Sequence, residues 1–402
     1  MLPKLHYYNP GHETAVLVGT SNYTPSKNVQ KMIADLALLP AWYASPGDYV
    51  FVDDLISPRF FSTFPKELYP EVTILSKDKV TGKTDYLPKM EAMPWGLSPQ
   101  SLNVYTKLKD LLGIDIILPV WNQELVRLTG RPVAAECFKK IKELLPDFDF
   151  PDVPVFFNNL SEIEEYLVDN PAAYILKTPY SSSGRGLLWL DSGMLDDKDR
   201  KWINGALAKQ GVISIEKALN KWNDFALEFY SDGDGEIGYR GISLFGTSKR
   251  GAYKGNEMIS QSESESILTE HIGKDKFWRI REAVRITLKQ VYGSLYKGYI
   301  GIDMLMYKSE DGTIDIHPCI EINMRYTMGM AAISIFDRYI HKDAIGIFDI
   351  IYESRSKIAY ERHKLNKKAY PLEFENGKLR TGYFSLCPIT KNTNYTAFII
   401  VQ

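Results

Sequence analysis

The residues best placed to do chemistry are Asp303, in Gly301-Ile302-Asp303-Met304, and Glu321, Asn323 and Arg325, in Glu321-Ile322-Asn323-Met324-Arg325. Both segments alternate apolar and polar residues, the two-residue period of a strand with one buried face. Paired as neighbours, they bring Asp303, Glu321 and Asn323 to one face, because positions i and i+2 share a side of a strand. Three oxygen donors on a rigid surface suit a hard divalent cation. Arg325, two positions further along that face, adds a positive fork where a phosphoryl group bridging it and the cation could be held. The same residues also fit the solvated face of an ordinary sheet.

A second segment supplies what such a cation would serve. Tyr174-Ile175-Leu176-Lys177-Thr178-Pro179 reads as a short strand carrying one lysine. Ser181, Ser182, Ser183, Gly184, Arg185 and Gly186 follow as a small-residue loop before the apolar run Leu187–Leu190. Glycines let backbone N–H groups approach phosphate oxygens, serine hydroxyls add donors, and Lys177 adds a point charge. The loop lacks the Gly-Lys-Ser/Thr ending of a P-loop and the spacing of a dinucleotide fingerprint, so alone it also reads as a hairpin connection.

Taken in order, the Lys177 strand, the Ser-Gly loop, a strand ending in Glu216, Asp224, Asp303 and Glu321-x-Asn323-x-Arg325 resemble the ATP-grasp superfamily over about residues 130–330. The resemblance implies an ATP-grasp fold, two α+β subdomains clamping ATP, preceded by an open α/β N-terminal domain. It implies that Lys177 reaches the α- and β-phosphates and that Ser181 to Gly186 form the mobile phosphate loop. Glu216, in Val212–Leu219, would meet the adenine, and Asp224 the ribose, where Glu is commoner. Asp303, Glu321 and Asn323 would hold Mg2+ (or Mn2+), and Arg325 would steady the transferring phosphoryl group. A first nucleotide-binding lysine normally opens the preceding helix; here Arg131 stands in that place, with Lys139 and Lys140 later in the same helix. Arg131 could hold phosphate with a fork in place of a point charge, or be a first-turn surface residue.

The implied activity is an ATP- and Mg-dependent ligase that activates a substrate carboxylate as an acyl phosphate and joins it to an amine, releasing ADP and phosphate. A kinase on the same fold and a non-catalytic ATP-binding regulator remain open alternatives. A glycosidase built on Asp303 and Glu321 leaves Lys177 without a role.

Bulk properties bound the reading. A chain of 402 residues has room for two or three domains, and 45% hydrophobic with 24% charged residues is ordinary globular composition. A net charge of −2 gives no basic footprint for nucleic acid; small-molecule carboxylates and amines are the partners that the resemblance implies. Three widely spaced cysteines, Cys137, Cys319 and Cys387, suggest neither a disulfide framework nor a zinc site. No export signal or 18-residue apolar span is visible, so no membrane partner is expected and the expected location is cytoplasmic. Oligomeric state has no signature.

Four parts are expected: an open α/β domain over 1–120, a subdomain with the phosphate loop over 121–210, a metal-binding subdomain over 211–345, and an extension over 346–402. The first starts with a strand at Lys4–Tyr8, a turn at Asn9–Glu13 and a helix near Ser26–Leu38, and continues with a helix at Pro99–Leu112 and a strand at Ile114–Val120. Ligands gather beyond the strand ends of such sheets, where Asn9, His12 and Glu13 would lie. The resemblance makes His12 and Glu13 candidates for second-substrate contacts; as a bare sequence they read first as a polar turn with an Asx-type cap. The basic loop Gly246–Asn256 offers Lys249, Arg250 or Lys254 to a carboxylate or γ-phosphate, or is an exposed hairpin tip.

Overall fold

The computed structural model describes residues 2–53, 59–76, 87–181, 186–248, 251 and 253–402. The chain forms two compact units: residues 1–121 with 254–263 and 325–402, and residues 122–253 with 264–324.

In the first unit, a parallel sheet runs in the order Thr73–Ser76, Tyr49–Val52, Lys4–Tyr7, Met90–Pro94, Ile116–Ile117. Its order reverses between the Lys4 and Met90 strands, and a ligand crevice is expected beyond the carboxyl ends at such a point. The helix Pro99–Leu112 forms where its sequence signals say. Ser98 caps it reciprocally with Ser101, Pro99 sits in the first turn, and Gly113 ends it at φ 63°. Its buried face, Tyr105, Leu108 and Leu112, packs on Leu5, Met90 and Ile116. The strand expected over Ile114–Val120 shrinks to two residues, because Leu118-Pro119 cannot continue the ladder. His12 and Glu13 are not part of the turn after the first strand; they open a helix, His12–Val18, once Gly11 turns the chain at φ 77°.

The expected C-terminal extension is instead part of this first unit. Strands Gly346–Tyr352, Tyr395–Val401, Lys378–Ser385 and Glu373–Glu375 are antiparallel neighbours in that order. Sequence distance hid this, since the pairings join segments tens of residues apart.

The second unit holds two antiparallel sheets. The smaller has the order Val155–Phe157, Ile213–Lys217, Tyr174–Lys177, Leu187–Leu190. Tyr174, Leu176, Ile213 and Ile215 form a core with Ile163, Leu167 and Ile203 of the helices Leu160–Asp169 and Asp197–Gln210. Strand alternation therefore sends Lys177, Ser214 and Glu216 to the face opposite those helices. In the larger sheet, the strands Ile314–Asn323, Lys297–Lys308, Asn220–Asp232 and Ile237–Thr247 lie side by side. The helix Arg131–Leu144 packs on the first of them and on the helix Lys274–Tyr292.

No helix among the described residues is long and apolar enough to cross a membrane.

Candidate functional site

The register of the two acidic strands sets the site. Asp303 lies opposite Glu321, Gly301 opposite Asn323, and Ile302 opposite Ile322. Ile302 and Ile322 are buried, so the intervening positions put Asp303, Glu321 and Asn323 on the other face. The pairing expected from the sequence is the one observed. A bulge immediately after Asp303 shifts the ladder, which limits the aligned oxygen donors to this stretch. Two carboxylates and an amide fit Mg2+, which keeps waters and phosphate oxygens in its remaining positions. They are not a protein cage: among the described residues no group of three His, Cys, Asp or Glu could hold a metal alone.

Arg131 is the residue around which this site closes. It opens its helix at the first position, behind Gly130 and before Pro132, and its side chain is buried. One terminal nitrogen, Nη1, donates to the Thr178 carbonyl at 2.5 Å and to Ser181 Oγ at 2.7 Å. The other, Nη2, donates to both carboxylate oxygens of Glu321 at 3.0 Å. Arg131 thereby ties the stem of the Ser-Gly loop to the Asp303–Glu321–Asn323 face, and its burial excludes the surface-residue alternative.

Lys177 and Glu216 form a buried ion pair, placed diagonally across adjacent strands with Ile175 opposite Glu216 and Ser214 opposite Lys177. Glu216 thus meets Lys177 directly. The loop stem is pinned on both sides. Thr178 N–H donates to the Gly186 carbonyl at 3.0 Å, and Gln210 accepts from Tyr180 N–H and donates back to its carbonyl. Gly186 is obligatory here: a Cβ would stand 2.2 Å from Thr178 Oγ1 and 2.4 Å from Ser181 Oγ. Ser182, Ser183, Gly184 and Arg185, together with Lys249 and Arg250, lie outside the described residues.

Asp224 sits two positions before Ala226, the residue opposite Asp303, and accepts from Thr247 Oγ1 at 2.5 Å and Lys221 Nζ at 2.9 Å. Sequence reasoning missed Glu228. It lies opposite Gly301 on one side and Gly241 on the other, in the row that ends at Asn323, and is 1% exposed. The signal was present: Phe225-Ala226-Leu227-Glu228-Phe229 places one carboxylate in an otherwise apolar run. Gln210 was missed as well, and nothing in its helical context marks it.

Beneath the face, burial and then Lys177 pull the His317 imidazole down to about 3, and its Nδ1 accepts from Cys319 N–H at 3.3 Å. Burial pushes the Cys319 thiol well up, which keeps it a small, neutral buried group. The folded state keeps His317 neutral while the unfolded chain takes up a proton below about pH 6.5. Its contribution to stability is therefore complete above that pH and declines as pH falls towards 3, by up to about 1.4 kcal/mol per pH unit. Urea unfolding between pH 7 and 4.5 should show this slope, and His317→Leu should make it shallower; an unaltered slope contradicts the assignment.

Arg325 departs from the strand-face expectation. The strand ends at Asn323, and Arg325 belongs to the first unit, where its Nε donates to Glu13 Oε1 at 2.8 Å. The next residue is fixed too, with Tyr326 N–H on the Trp95 carbonyl and its ring stacked on Tyr43 at 4.0 Å. Burial alone would raise the Glu13 carboxyl, but His12 and Arg325 outweigh it and hold the group far below the usual range. Asn9 clasps Gly96, donating to its carbonyl at 2.7 Å and accepting from its N–H at 3.1 Å. Here Gly96 has no room for a side chain, since a Cβ would fall 2.2 Å from the His12 ring. Gly96→Ala should cost about 1–3 kcal/mol in chemical denaturation through overpacking; unchanged stability would show that the ring has space to yield.

No family model matches the chain, and no curated protein does. Among solved structures it is similar to biotin carboxylase from Campylobacter jejuni in complex with β-γ-ATP. That likeness has a TM-score of 0.52 at 11% identity and covers 100% of this chain and 88% of the other. Weaker likenesses include the ADP complex of N5-carboxyaminoimidazole synthetase from Staphylococcus aureus, with a TM-score of 0.49, 10% identity, and 100% and 93% coverage. An L-amino acid ligase from Bacillus licheniformis gives a TM-score of 0.46, 14% identity, and 100% and 93% coverage. At these identities the likeness is one of fold.

Proposed function

Because the chain has the ATP-grasp fold, we propose that it is an ATP- and Mg2+-dependent ligase that activates a substrate carboxylate and couples it to an amine. The observation that carries the reading is Arg131, whose guanidinium binds the stem of the Ser-Gly loop and Glu321 at once. It supports one cleft shared by the Lys177 strand and the Asp303–Glu321–Asn323 face.

Asp303, Glu321 and Asn323 would hold Mg2+, which would supply charge neutralisation to the phosphates. Lys177 leaves Glu216 for the α- and β-phosphates, and Arg131 adds its fork. The Thr178–Gly186 stem carries the loop, including Ser182, Ser183, Gly184 and Arg185, over the phosphates and keeps water out. Glu216 and the backbone of its strand meet the adenine, and Asp224 the ribose. Arg325 offsets charge that shifts onto phosphoryl oxygen, and Lys249 and Arg250 hold the acceptor carboxylate. The carboxylate oxygen attacks the γ-phosphorus, the bond to the β-phosphate oxygen breaks, and ADP leaves an acyl phosphate; an amine then displaces phosphate.

A screen of carboxylate and amine pairs for metal-dependent ADP release tests the reading. Hydroxylamine added to a positive pair should yield a hydroxamate. ADP release without hydroxamate would make the chain a kinase, and no ADP release with any pair would leave a nucleotide-binding regulator.

A further inference from the structure

Arg131 and Glu321 raise a question that a static cation site does not. Glu321 is needed for the cation, yet both its oxygens are already taken by Arg131 Nη2. The remaining terminal nitrogen is committed to Thr178 and Ser181, while Nε is buried without a hydrogen-bond partner among the described residues. Nε and Nη2 form one edge of the guanidinium, the edge that matches two oxygens of a carboxylate or phosphate in parallel. Glu321 engages that edge through Nη2 alone. A phosphate group arriving there can take both donors and satisfy the orphaned Nε, so the exchange removes a buried unsatisfied donor. The side chain of Arg131 is 9% exposed and that of Glu321 28%, so the carboxylate is the partner with room to turn away.

We propose that Arg131 latches the cation site, so that this chain takes a divalent cation as a complex with nucleotide and not as a free ion. This rests on the reading of the site as a Mg2+–nucleotide site. A free cation approaching Glu321 must break a charged pair in which Nη2 holds both carboxylate oxygens, and then sit beside a guanidinium that has lost its carboxylate. A cation arriving with phosphate meets neither cost: phosphate takes the guanidinium edge, Glu321 is released, and its oxygens turn to the cation. The same arginine that binds nucleotide thus opposes free metal. A residue that merely supported the fold would not affect the two ligands in opposite directions.

The test is titration of Mn2+, of ADP, and of Mn2+ at saturating ADP into the full-length protein, as wild type, Arg131→Met and Arg131→Lys. Expected for the wild type is Mn2+ binding at least about tenfold tighter with ADP than without. Arg131→Met should bind Mn2+ alone about tenfold tighter than wild type and ADP about tenfold weaker, which abolishes the synergy. Arg131→Lys, with a point charge that cannot span two oxygens, should fall between them. It also decides the matter if the methionine variant does not fold. Variants whose affinity for Mn2+ alone equals or falls below that of the wild type overturn the latch while leaving the nucleotide site intact. A wild type that binds neither ADP nor Mn2+ with ADP overturns the functional reading, and the latch with it.

Discussion

Glu321→Gln should reduce ATP turnover by at least about a thousandfold, the several kcal/mol that a well-placed cation contributes to phosphoryl transfer. The amide keeps an oxygen acceptor for Arg131 but loses the negative charge that a divalent ion requires. Folding should therefore be little affected, with a melting temperature within a few degrees (about 4 °C) of the wild type. Glu321→Ala is a different experiment. It leaves the buried Arg131 without its carboxylate partner, so loss of activity in that variant mixes chemistry with a lower stability. Steady-state ADP release beside thermal unfolding of both variants separates the two effects. Near wild-type turnover by the glutamine variant would remove Glu321 from the cation site.

Lys177→Met should weaken nucleotide binding and also destabilise the protein by about 3–5 kcal/mol, because Glu216 would remain buried and charged without a partner. From the sequence, the expected effect of losing this lysine is chiefly on nucleotide affinity. The ion pair adds the stability effect and supplies a way to separate the two. In Lys177→Met with Glu216→Gln the buried charge is gone, so most of the lost stability should return while nucleotide affinity stays low. Denaturant unfolding and a calorimetric ADP titration of the two single variants and the double variant complete the cycle. Stability that does not recover would mean that Lys177 acts through packing; affinity that does recover would mean that it never touches nucleotide.

Much of the site was legible because its determinants are local. Alternation at 301–304 and 320–323 assigned Asp303, Glu321 and Asn323 to one face, and the observed register agrees. The helix expected over Pro99–Leu112 forms over those residues, with Ser98 and Gly113 closing its ends. Lys177 was legible as the polar member of a strand whose neighbours are buried. Glu228 could have been found in the same way, since a carboxylate within an apolar run demands an explanation.

The amino-acid sequence by itself determined which side chains share a strand face, where helices begin and end, and which residue types could serve a phosphate and a hard cation. These follow from backbone periodicity and capping, which depend on neighbours a few positions away. Only the tertiary structure decided the partners: Arg131 with Glu321, 190 positions apart, Arg325 with Glu13, 312 positions apart, and the C-terminal strands with the first unit. A charged group pairs with whichever opposite charge the packed fold brings within about 3 Å, and no local pattern encodes that choice.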